Sequence, residues 1–105
     1  YKILYRDDGV KVKEIVINPG KSLSYQKHNL RSELWLVTKG NVANNIEHPE
    51  DPRLIHQQVL HKHEFTNIEP NTWHQLNNPS TEDVKLVEIQ YGEKCTEEDI
   101  ERKDE

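Results

Sequence analysis

Clusters of β-branched and aromatic residues recur along most of this sequence, and Gly, Pro or Asn interrupts them at short intervals. The clusters follow one another at about 8 to 12 residues, a spacing typical of β-sandwiches and barrels. The sequence therefore predicts an all-β domain. Its expected strands cover residues 10–17, 22–28, 33–39, 54–60, 65–68, 73–76 and 84–91.

Two stretches depart from this pattern. Residues 44–53 contain two prolines and alternating charge, which predicts a surface loop. Near the end, Thr96 is followed by three carboxylates. A hydroxyl at the N-cap and carboxylates in the first turn both stabilise a helix. We therefore expect a short C-terminal helix that begins at Thr96.

The composition fits one small domain over residues 1–105, with 32% hydrophobic and 31% charged residues. No apolar run approaches the roughly 20 residues of a membrane-spanning helix, so we expect a soluble protein without a membrane partner. A net charge of −5 argues against a nucleic-acid partner. The single Cys95 cannot form an internal disulfide. We expect a cytoplasmic protein with an unreactive thiol.

Four polar residues, remote from one another in the chain, are predicted to converge. Gln26 and His28 are two residues apart, so they share one face of a strand. Glu33 begins the next strand after a short connection, and His74 opens a much later one. Two imidazoles, one carboxylate and one amide oxygen suit a divalent transition metal or zinc and leave room for water or substrate.

The spacing of these residues is more specific than their chemistry. From Gly20 to Gly40 the sequence reads Gx5QxHx4Ex6G. It resembles the first cupin motif, Gx5HxHx4Ex6G, with Gln26 at the position of the first histidine. The second cupin motif, PxGxxHx3N, is matched by His74 and Asn78. At its Pro and Gly positions this chain has Glu69 and Asn71. Asn71 tolerates a left-handed backbone, so the turn before His74 can still form.

Longer segments resemble the cupin domain of type II mannose-6-phosphate isomerases, which often also carry a mannose-1-phosphate guanylyltransferase domain. The run LSYQKHNLRSELWLV is similar to that family's LSLQxHxHRxEHWxVV. The ending VEIQYGEKCTEEDIERKDE is similar to IEVQxGxYLGEDDIxRxxD, and VKVKEIVINPG also matches. Leu30 and Leu34 replace two histidines of the family pattern and so change the chemistry beside the site.

The resemblance implies a cupin double-stranded β-helix, or jelly roll, that acts as a metal-dependent phosphosugar isomerase. Mannose 6-phosphate would become fructose 6-phosphate through an enediolate. The implied metal ligands are Gln26, His28, Glu33 and His74. The implied cofactor is one divalent ion: zinc first, with manganese, cobalt, iron or nickel as alternatives. The resemblance also implies a homodimer. The guanylyltransferase part is absent, so this chain alone is not expected to make GDP-mannose.

Arg31 and Arg102 fall on the family's characteristic arginines and are the candidate catalytic residues, with Arg31 as the partner of a phosphate or an oxyanion. Each also has an ordinary interpretation. Arg31 could be a solvated turn residue, and Arg102 could pair with Glu98 and Asp99 on the expected helix. The sequence does not identify the general base of the reaction.

Two other functions stay open. A non-catalytic, metal-containing sugar-binding or regulatory cupin is favoured by the two leucines. Oxygen chemistry at iron is a third possibility, but such sites more often use three histidines. If the C-terminal segment from Thr96 packs across the barrel mouth, a closed reaction chamber is favoured. If the segment points into solvent, a binding protein is favoured.

Other conspicuous residues have simpler explanations. His61 and His63 resemble a metal pair, but the carboxylate position of the frame is occupied by Ile68, so both are predicted to lie on the surface. Trp35 shares the inward face with Glu33 and is assigned to the core. Trp73 precedes His74, should face outward, and is a candidate dimer contact.

Overall fold

The computed structural model describes residues 1–48, 50–51, 53–96 and 98–102, which form an all-β fold. The strands are β1 (Lys2–Asp7), β2 (Val10–Ile17), β3 (Gln26–Lys27), β4 (Arg31–Lys39), β5 (Val42–Glu47), β6 (Ile55–Leu60), β7 (Phe65–Ile68), β8 (His74–Asn77), β9 (Val84–Gly92) and β10 (Glu101–Arg102). They form two five-stranded antiparallel sheets with the orders β1-β2-β9-β4-β7 and β10-β3-β8-β5-β6. No helix able to span a bilayer occurs among the described residues.

The interior divides into an apolar end and a polar end along the long strands β2, β4 and β9. Residues alternate in and out along each strand, so every second side chain enters the space between the sheets. Buried apolar residues from both sheets close one end: Ile15, Ile17, Trp35, Val37, Val42, Leu60, Ile68, Leu76, Val84 and Leu86. Buried polar residues on the same inner face form the other end: Lys11, Lys13, Arg31, Glu33, Glu88 and Gln90.

The predicted strands are confirmed where a strong alternation marks them. β2 and β7 have the expected bounds, whereas β4 and β9 extend slightly beyond them. The expected strand over residues 22–28 is paired regularly only at Gln26–Lys27, with an isolated bridge from Ser22 to Asn77. β1 was not predicted. It is an edge strand whose residues are all exposed, so no buried face marks it in the sequence.

The prediction of a surface loop over residues 44–53 is partly wrong, because β5 runs from Val42 to Glu47. Asn is depleted in strands, so the Asn residues of β5 led to the prediction of a loop. Here the amides have partners across the sheet. The Asn45 Nδ2 donates to Gln75 Oε1 at 3.1 Å, and the Gln57 Nε2 donates to Asn45 Oδ1 at 3.2 Å. Cross-strand hydrogen bonds thus satisfy side chains that would otherwise favour a turn.

The prediction of a C-terminal helix is wrong for the described residues 96 and 98–102. The Asp99 N–H donates to the Thr96 carbonyl, and the next regular element is β10, which pairs with β3. The Asp99 carboxylate accepts hydrogen bonds from the backbone N–H groups of Asn29 and Leu30 instead of capping its own helix. Residue 97 and residues 103–105 lie outside the described part of the chain.

Candidate metal centre

The structure brings three of the four predicted ligands together at the polar end of the interior. His28 follows β3, Glu33 points inward from β4 and His74 begins β8, so both sheets contribute. All three side chains are buried, with 2–3% of their surface exposed. One ligand atom from each lies within 4.8 Å of the others. The spacing of the motifs thus predicted that His28, Glu33 and His74 lie together.

The Glu33 carboxylate lies between the two imidazoles. Its Oε2 is 3.3 Å from His28 Nε2, and its Oε1 is 3.5 Å from His74 Nε2. Glu33 Oε1 and His74 Nε2 are buried without a hydrogen-bond partner among the described residues. An unsatisfied buried polar atom costs about 1–3 kcal/mol. A divalent cation between these atoms would satisfy both, and imidazole and carboxylate ligands suit zinc, manganese, iron, cobalt or nickel.

Backbone carbonyls orient both imidazoles for coordination through Nε2. The Nδ1 of His28 lies 2.7 Å from the Asp99 carbonyl, and the Nδ1 of His74 lies 2.8 Å from the Thr72 carbonyl. A carbonyl only accepts, so each neutral ring carries its proton on Nδ1 and presents the Nε2 lone pair to Glu33. This arrangement is typical of histidines that bind metal.

Arg31 is part of the site and not a solvated turn residue, because only 4% of its surface is exposed. Its Nε and Nη2 donate to Glu33 Oε2 at 3.0 and 2.9 Å. The same Nη2 is 3.1 Å from His28 Nε2, and Nη1 donates to the Thr96 carbonyl at 3.1 Å. Arg31 therefore occupies one side of the Glu33 carboxylate and leaves the His74 side without a hydrogen-bond partner.

Gly92, at the end of β9, makes room for the backbone at the start of β4. Its φ of 145° is accessible mainly to glycine. A Cβ there would lie 2.7 Å from the Leu30 carbonyl oxygen and 3.0 Å from the Arg31 Cα. Any other residue would displace the start of β4, which carries both Arg31 and Glu33.

The pKa values of the site follow from burial and from these contacts. Burial opposes ionisation of Glu33, but His74, His28 and Arg31 outweigh it and hold the pKa of Glu33 at about 2. Burial also lowers the pKa of His28, against the attraction of Glu33. Burial thus favours the neutral imidazole of His28, the form that binds a metal.

Gln26, the fourth predicted ligand, lies directly opposite His74 in the β3–β8 pair. Its Oε1 accepts a hydrogen bond from Ser24 at 3.4 Å. It lines a cavity of about 290 Å³ together with His28, Glu33 and Arg31. Gln26 is thus a neighbour of the three-residue cluster, and its role as a ligand stays a prediction.

The turn before His74 forms as predicted. Asn71 has a left-handed backbone, with a φ of 64°. Its N–H donates to the His28 carbonyl at 2.7 Å, so this turn is hydrogen-bonded to the residue that carries the first imidazole. Asn78, the last residue of the second motif, is structural: its Nδ2 donates to the carbonyls of Ile17 and Glu82.

The described C-terminal residues cover the polar end of the interior. The Asp99 carboxylate accepts hydrogen bonds from the N–H groups of Asn29 at 3.0 Å and Leu30 at 2.8 Å. Arg102 pairs with Gln26 in the β10–β3 ladder and lines the cavity. The segment thus packs across the barrel mouth, but as a turn and strand instead of a helix. Because this segment is not a helix, the helical pairs of Arg102 with Glu98 and Asp99 that the sequence suggested do not arise.

Sequence reasoning missed three buried polar residues beside the cluster. Lys13, Glu88 and Gln90 face inward, and all three line the same cavity. The Trp35 Nε1 donates to Glu88 Oε2 at 3.1 Å, and the Gln90 Nε2 donates to Glu88 Oε1 at 2.6 Å. Burial, aided by the charge of Glu33, raises the pKa of Glu88 to about 7. The in–out alternation of β9, continued from the buried Leu86, could have predicted that Glu88 and Gln90 face inward.

Several other residues lie away from the centre. His61 and His63 are exposed, as predicted. Leu34 points to the face of β4 opposite Glu33, so the expectation that it alters the chemistry beside the site is wrong. Trp73 stacks on Tyr25, with ring centroids 5.4 Å apart. Burial raises the pKa of the Cys95 thiol, which agrees with an unreactive cysteine.

Two solved structures identify the class of fold. A protein with a double-stranded β-helix domain from Klebsiella pneumoniae superposes with a TM-score of 0.78 at 13% identity, over 98% of this chain and 82% of its own. A Cupin 2 conserved barrel domain protein from Salinispora arenicola gives a TM-score of 0.70 at 18% identity, over 86% and 72%. The fold is therefore a cupin double-stranded β-helix.

Sequence comparison narrows this class. The family described as mannose-6-phosphate isomerase C-terminal matches residues 1–105, and the chain belongs to that family. A mannose-1-phosphate guanylyltransferase of Sinorhizobium fredii is 35% identical over 95% of this chain and 18% of its own length. The alginate biosynthesis protein AlgA of Pseudomonas putida is 34% identical over 87% and 17%. The chain thus spans about a fifth of the length of these relatives.

Proposed function

We propose that this domain is a metal-dependent phosphosugar isomerase that converts mannose 6-phosphate to fructose 6-phosphate. The observation that carries the proposal is the buried cluster of His28, Glu33 and His74, in which one carboxylate oxygen and one imidazole nitrogen have no hydrogen-bond partner within the described part of the chain. The family supports a mannose phosphate as substrate, because its name is that of a mannose-6-phosphate isomerase.

The metal would be held by His28, Glu33 and His74, with Gln26 as the fourth ligand. Zinc is our first choice, because two imidazoles and one carboxylate are common in catalytic zinc sites. Manganese, cobalt, iron and nickel are the alternatives. The bound cation would supply Lewis acidity toward the substrate's carbonyl and hydroxyl oxygens.

The chain's own cations would position the anionic substrate. Arg31, 2.9 Å from Glu33, lies close enough to the cluster to stabilise negative charge on a reacting oxygen. Arg102 lines the same cavity from β10, nearer the mouth, and is the candidate partner of the phosphate. The described residues 96 and 98–102 cover this end of the barrel and support an enclosed reaction, because exclusion of water strengthens these electrostatic contacts.

One observation favours a second function, a non-catalytic sugar-binding or regulatory cupin. The Arg31 guanidinium already contacts Glu33 Oε2 and His28 Nε2, two of the atoms that a catalytic metal would use. A cluster neutralised in this way could serve a structural purpose. Turnover of mannose 6-phosphate separates the two functions.

The test combines metal analysis with turnover of mannose 6-phosphate in the wild type, His28→Ala and His61→Ala. We expect one metal ion per wild-type chain and formation of fructose 6-phosphate. His28→Ala should lose metal and activity together, because it removes one of the three clustered ligands. The control His61→Ala removes an exposed imidazole outside the cluster and should leave both unchanged.

Two results would contradict the isomerase. One is equal turnover by the wild type and His28→Ala. The other is no turnover by either protein although the wild type is fully loaded with metal, a result that would favour the sugar-binding alternative.

We also propose that the domain forms a homodimer through the outer face of the sheet that contains β4. Apolar residues lie opposite one another there: Leu36 pairs with Phe65 and Val87, and Leu34 pairs with Ile89. An outer sheet face that faces water usually carries polar residues. A cluster of apolar residues on an outer sheet face suits a second copy of the chain, which would cover it by symmetry.

A further inference from the structure

The polar end of the interior contains a second buried carboxylate, that of Glu88. Among the described residues, Glu33 and Glu88 are the acidic side chains in the buried class. Glu33 is engaged by Arg31 and lies between the two imidazoles. Glu88 contacts neither imidazole in any hydrogen bond of the described chain, yet it lines the same cavity. It is therefore placed to meet whatever the cavity binds.

The sheet register fixes where Glu88 lies relative to Glu33. Glu33 on β4 is opposite Gln90 on β9, and Trp35 is opposite Glu88. Glu88 is therefore the diagonal neighbour of Glu33 on the inner face. Such neighbours are about 7–8 Å apart. Both side chains therefore point into the same interior, and both line the cavity that a substrate would occupy.

Two neutral donors hold the Glu88 carboxylate in place, one hydrogen bond to each oxygen. Trp35 Nε1 donates to one oxygen and Gln90 Nε2 donates to the other. An ionised carboxylate accepts at about four positions, so each oxygen retains one for a proton. Lys13 lies opposite Glu88 in the β2–β9 pair, and Glu33 and Arg31 face it from β4. The hydrogen bonds from Trp35 and Gln90 thus orient the Glu88 carboxylate and still leave it able to exchange a proton.

We propose that Glu88 is the acid–base catalyst of this domain, a role that rests on the isomerase function proposed above. Its carboxylate takes the proton from C2 of the open-chain aldose, and the C2–H electron pair becomes the C1=C2 bond while the C1 carbonyl pair moves to O1. The Glu88 carboxylic acid then returns that proton to C1. O2 gives its proton to O1 as C2=O forms, so no oxidant or further reactant is consumed.

The electrostatics of Glu88 agree with this role. Burial is the main cause of its raised pKa, and the charge of Glu33 adds to it. General acid–base catalysis is most effective when the pKa of the group lies near the working pH, because both protonation states are then available. A carboxylate at the ordinary pKa of glutamate would accept a proton from carbon far less readily.

The test compares Glu88→Gln and Glu88→Asp with the wild type and with Glu14→Gln. Glu14 is the matched control, because it lies on β2 opposite Val87 and points to the outer face of the same sheet. The assays are kcat and KM for mannose 6-phosphate, the pH profile of kcat, bound metal and thermal stability. A purely structural role for Glu88 would alter stability or metal content, not kcat alone.

We expect Glu88→Gln to lower kcat by about 10²- to 10⁴-fold, with KM changed by less than about threefold and metal content unchanged. The acidic limb of the wild-type pH profile should disappear from the residual activity. Glu14→Gln should match the wild type. If Glu88→Gln retains more than about a tenth of the wild-type kcat with its metal bound, the assignment is wrong.

Glu88→Asp covers the case in which Glu88→Gln fails to fold or to bind metal. It keeps the charge but withdraws it by one methylene, so we expect full metal content and kcat reduced about tenfold or more. A kcat within about twofold of the wild type would overturn the role of Glu88. An active wild type with active Glu88 variants refutes only this inference. A metal-loaded wild type without turnover refutes the isomerase and the role of Glu88 together.

Discussion

Arg31 already contacts two atoms of the candidate metal centre that the proposed cation would use. Its Nη2 lies 2.9 Å from Glu33 Oε2 and 3.1 Å from His28 Nε2, and all three side chains are buried. A divalent ion coordinated by the same carboxylate would lie close to the guanidinium, and like charges in a poorly solvated interior repel strongly. The proposed affinity of the site for metal would therefore depend on where Arg31 is held.

Replacing Arg31 by Met should tighten metal binding about three- to tenfold, because the competing cation is removed while an apolar chain of similar length fills its place. Calorimetric titration of the metal-free protein with Zn²⁺ measures the change. Arg53→Met is the control, since Arg53 is exposed and paired with Asp51 outside the centre. Weaker binding in Arg31→Met would show that Arg31 orients Glu33 and His28 more than it competes with the metal.

The sequence predicted the residues of the centre better than their environment. The spacing of His28, Glu33 and His74 located the cluster because it matches the two cupin motifs, although β3 and β4 lie in different sheets and do not pair as a hairpin. Glu88 was not found. Its inward direction follows from the alternation of β9, but its nearness to Glu33 depends on the register of β9 against β4, which a single sequence does not determine.

At the scale of elements, the C-terminal segment closes the barrel mouth through contacts that bridge about 70 residues of sequence. The Asp99 carboxylate accepts hydrogen bonds from the N–H groups of Asn29 and Leu30. The backbone carbonyl of Asp99 holds the His28 ring through its Nδ1. A carboxylate that caps backbone N–H groups is also the signal for a helix start. The helix was predicted from Thr96 as the N-cap and from the carboxylates that follow it, and the sequence does not show that the Asp99 carboxylate instead binds the N–H groups of Asn29 and Leu30.

Asp99→Ala should destabilise the domain by about 1–3 kcal/mol, because it removes two charge-assisted hydrogen bonds from the connection between β3 and β4. Urea unfolding of the metal-free protein measures the loss. Glu98→Ala is the control, because Glu98 is exposed and has the adjacent position in the same segment. Equal stability of the two variants would mean that the Asp99 contacts contribute nothing to closure of the mouth.

Strands with a strict alternation of buried and exposed residues were easier to predict from the sequence than strands that depend on remote partners. β2, β4 and β9 are long, alternate strictly between buried and less buried residues, and were predicted well. β5 is rich in Asn and exists because Gln57 and Gln75 on the neighbouring strands satisfy Asn45. Pairing partners remote in sequence override local propensity in such a strand.

Over the whole molecule, the inner and outer faces of the β1-β2-β9-β4-β7 sheet have opposite characters near the site. Inside, Lys13 lies opposite Glu88, and Lys11 lies opposite Gln90. This polar row suits an anionic, hydroxyl-rich ligand. Outside, Val12 lies opposite Tyr5 and Ile89, and the apolar character continues to Leu36 and its partners. The face toward solvent is thus more apolar than the face toward the cavity.

The proposed homodimer predicts that one charge on this outer face separates the copies. Leu36 lies between Phe65 and Val87, so Leu36→Lys places an ammonium group at the centre of the contact, where it would be desolvated. Light scattering after size exclusion should give the wild type twice the 12.4 kDa chain mass and Leu36→Lys the mass of one chain. Leu54→Lys is the matched control, because Leu54 is 55% exposed and lies outside this sheet, and it should remain dimeric. A wild type that stays monomeric at high micromolar concentration would refute the dimer, and a dimeric Leu36→Lys would place the interface on another surface.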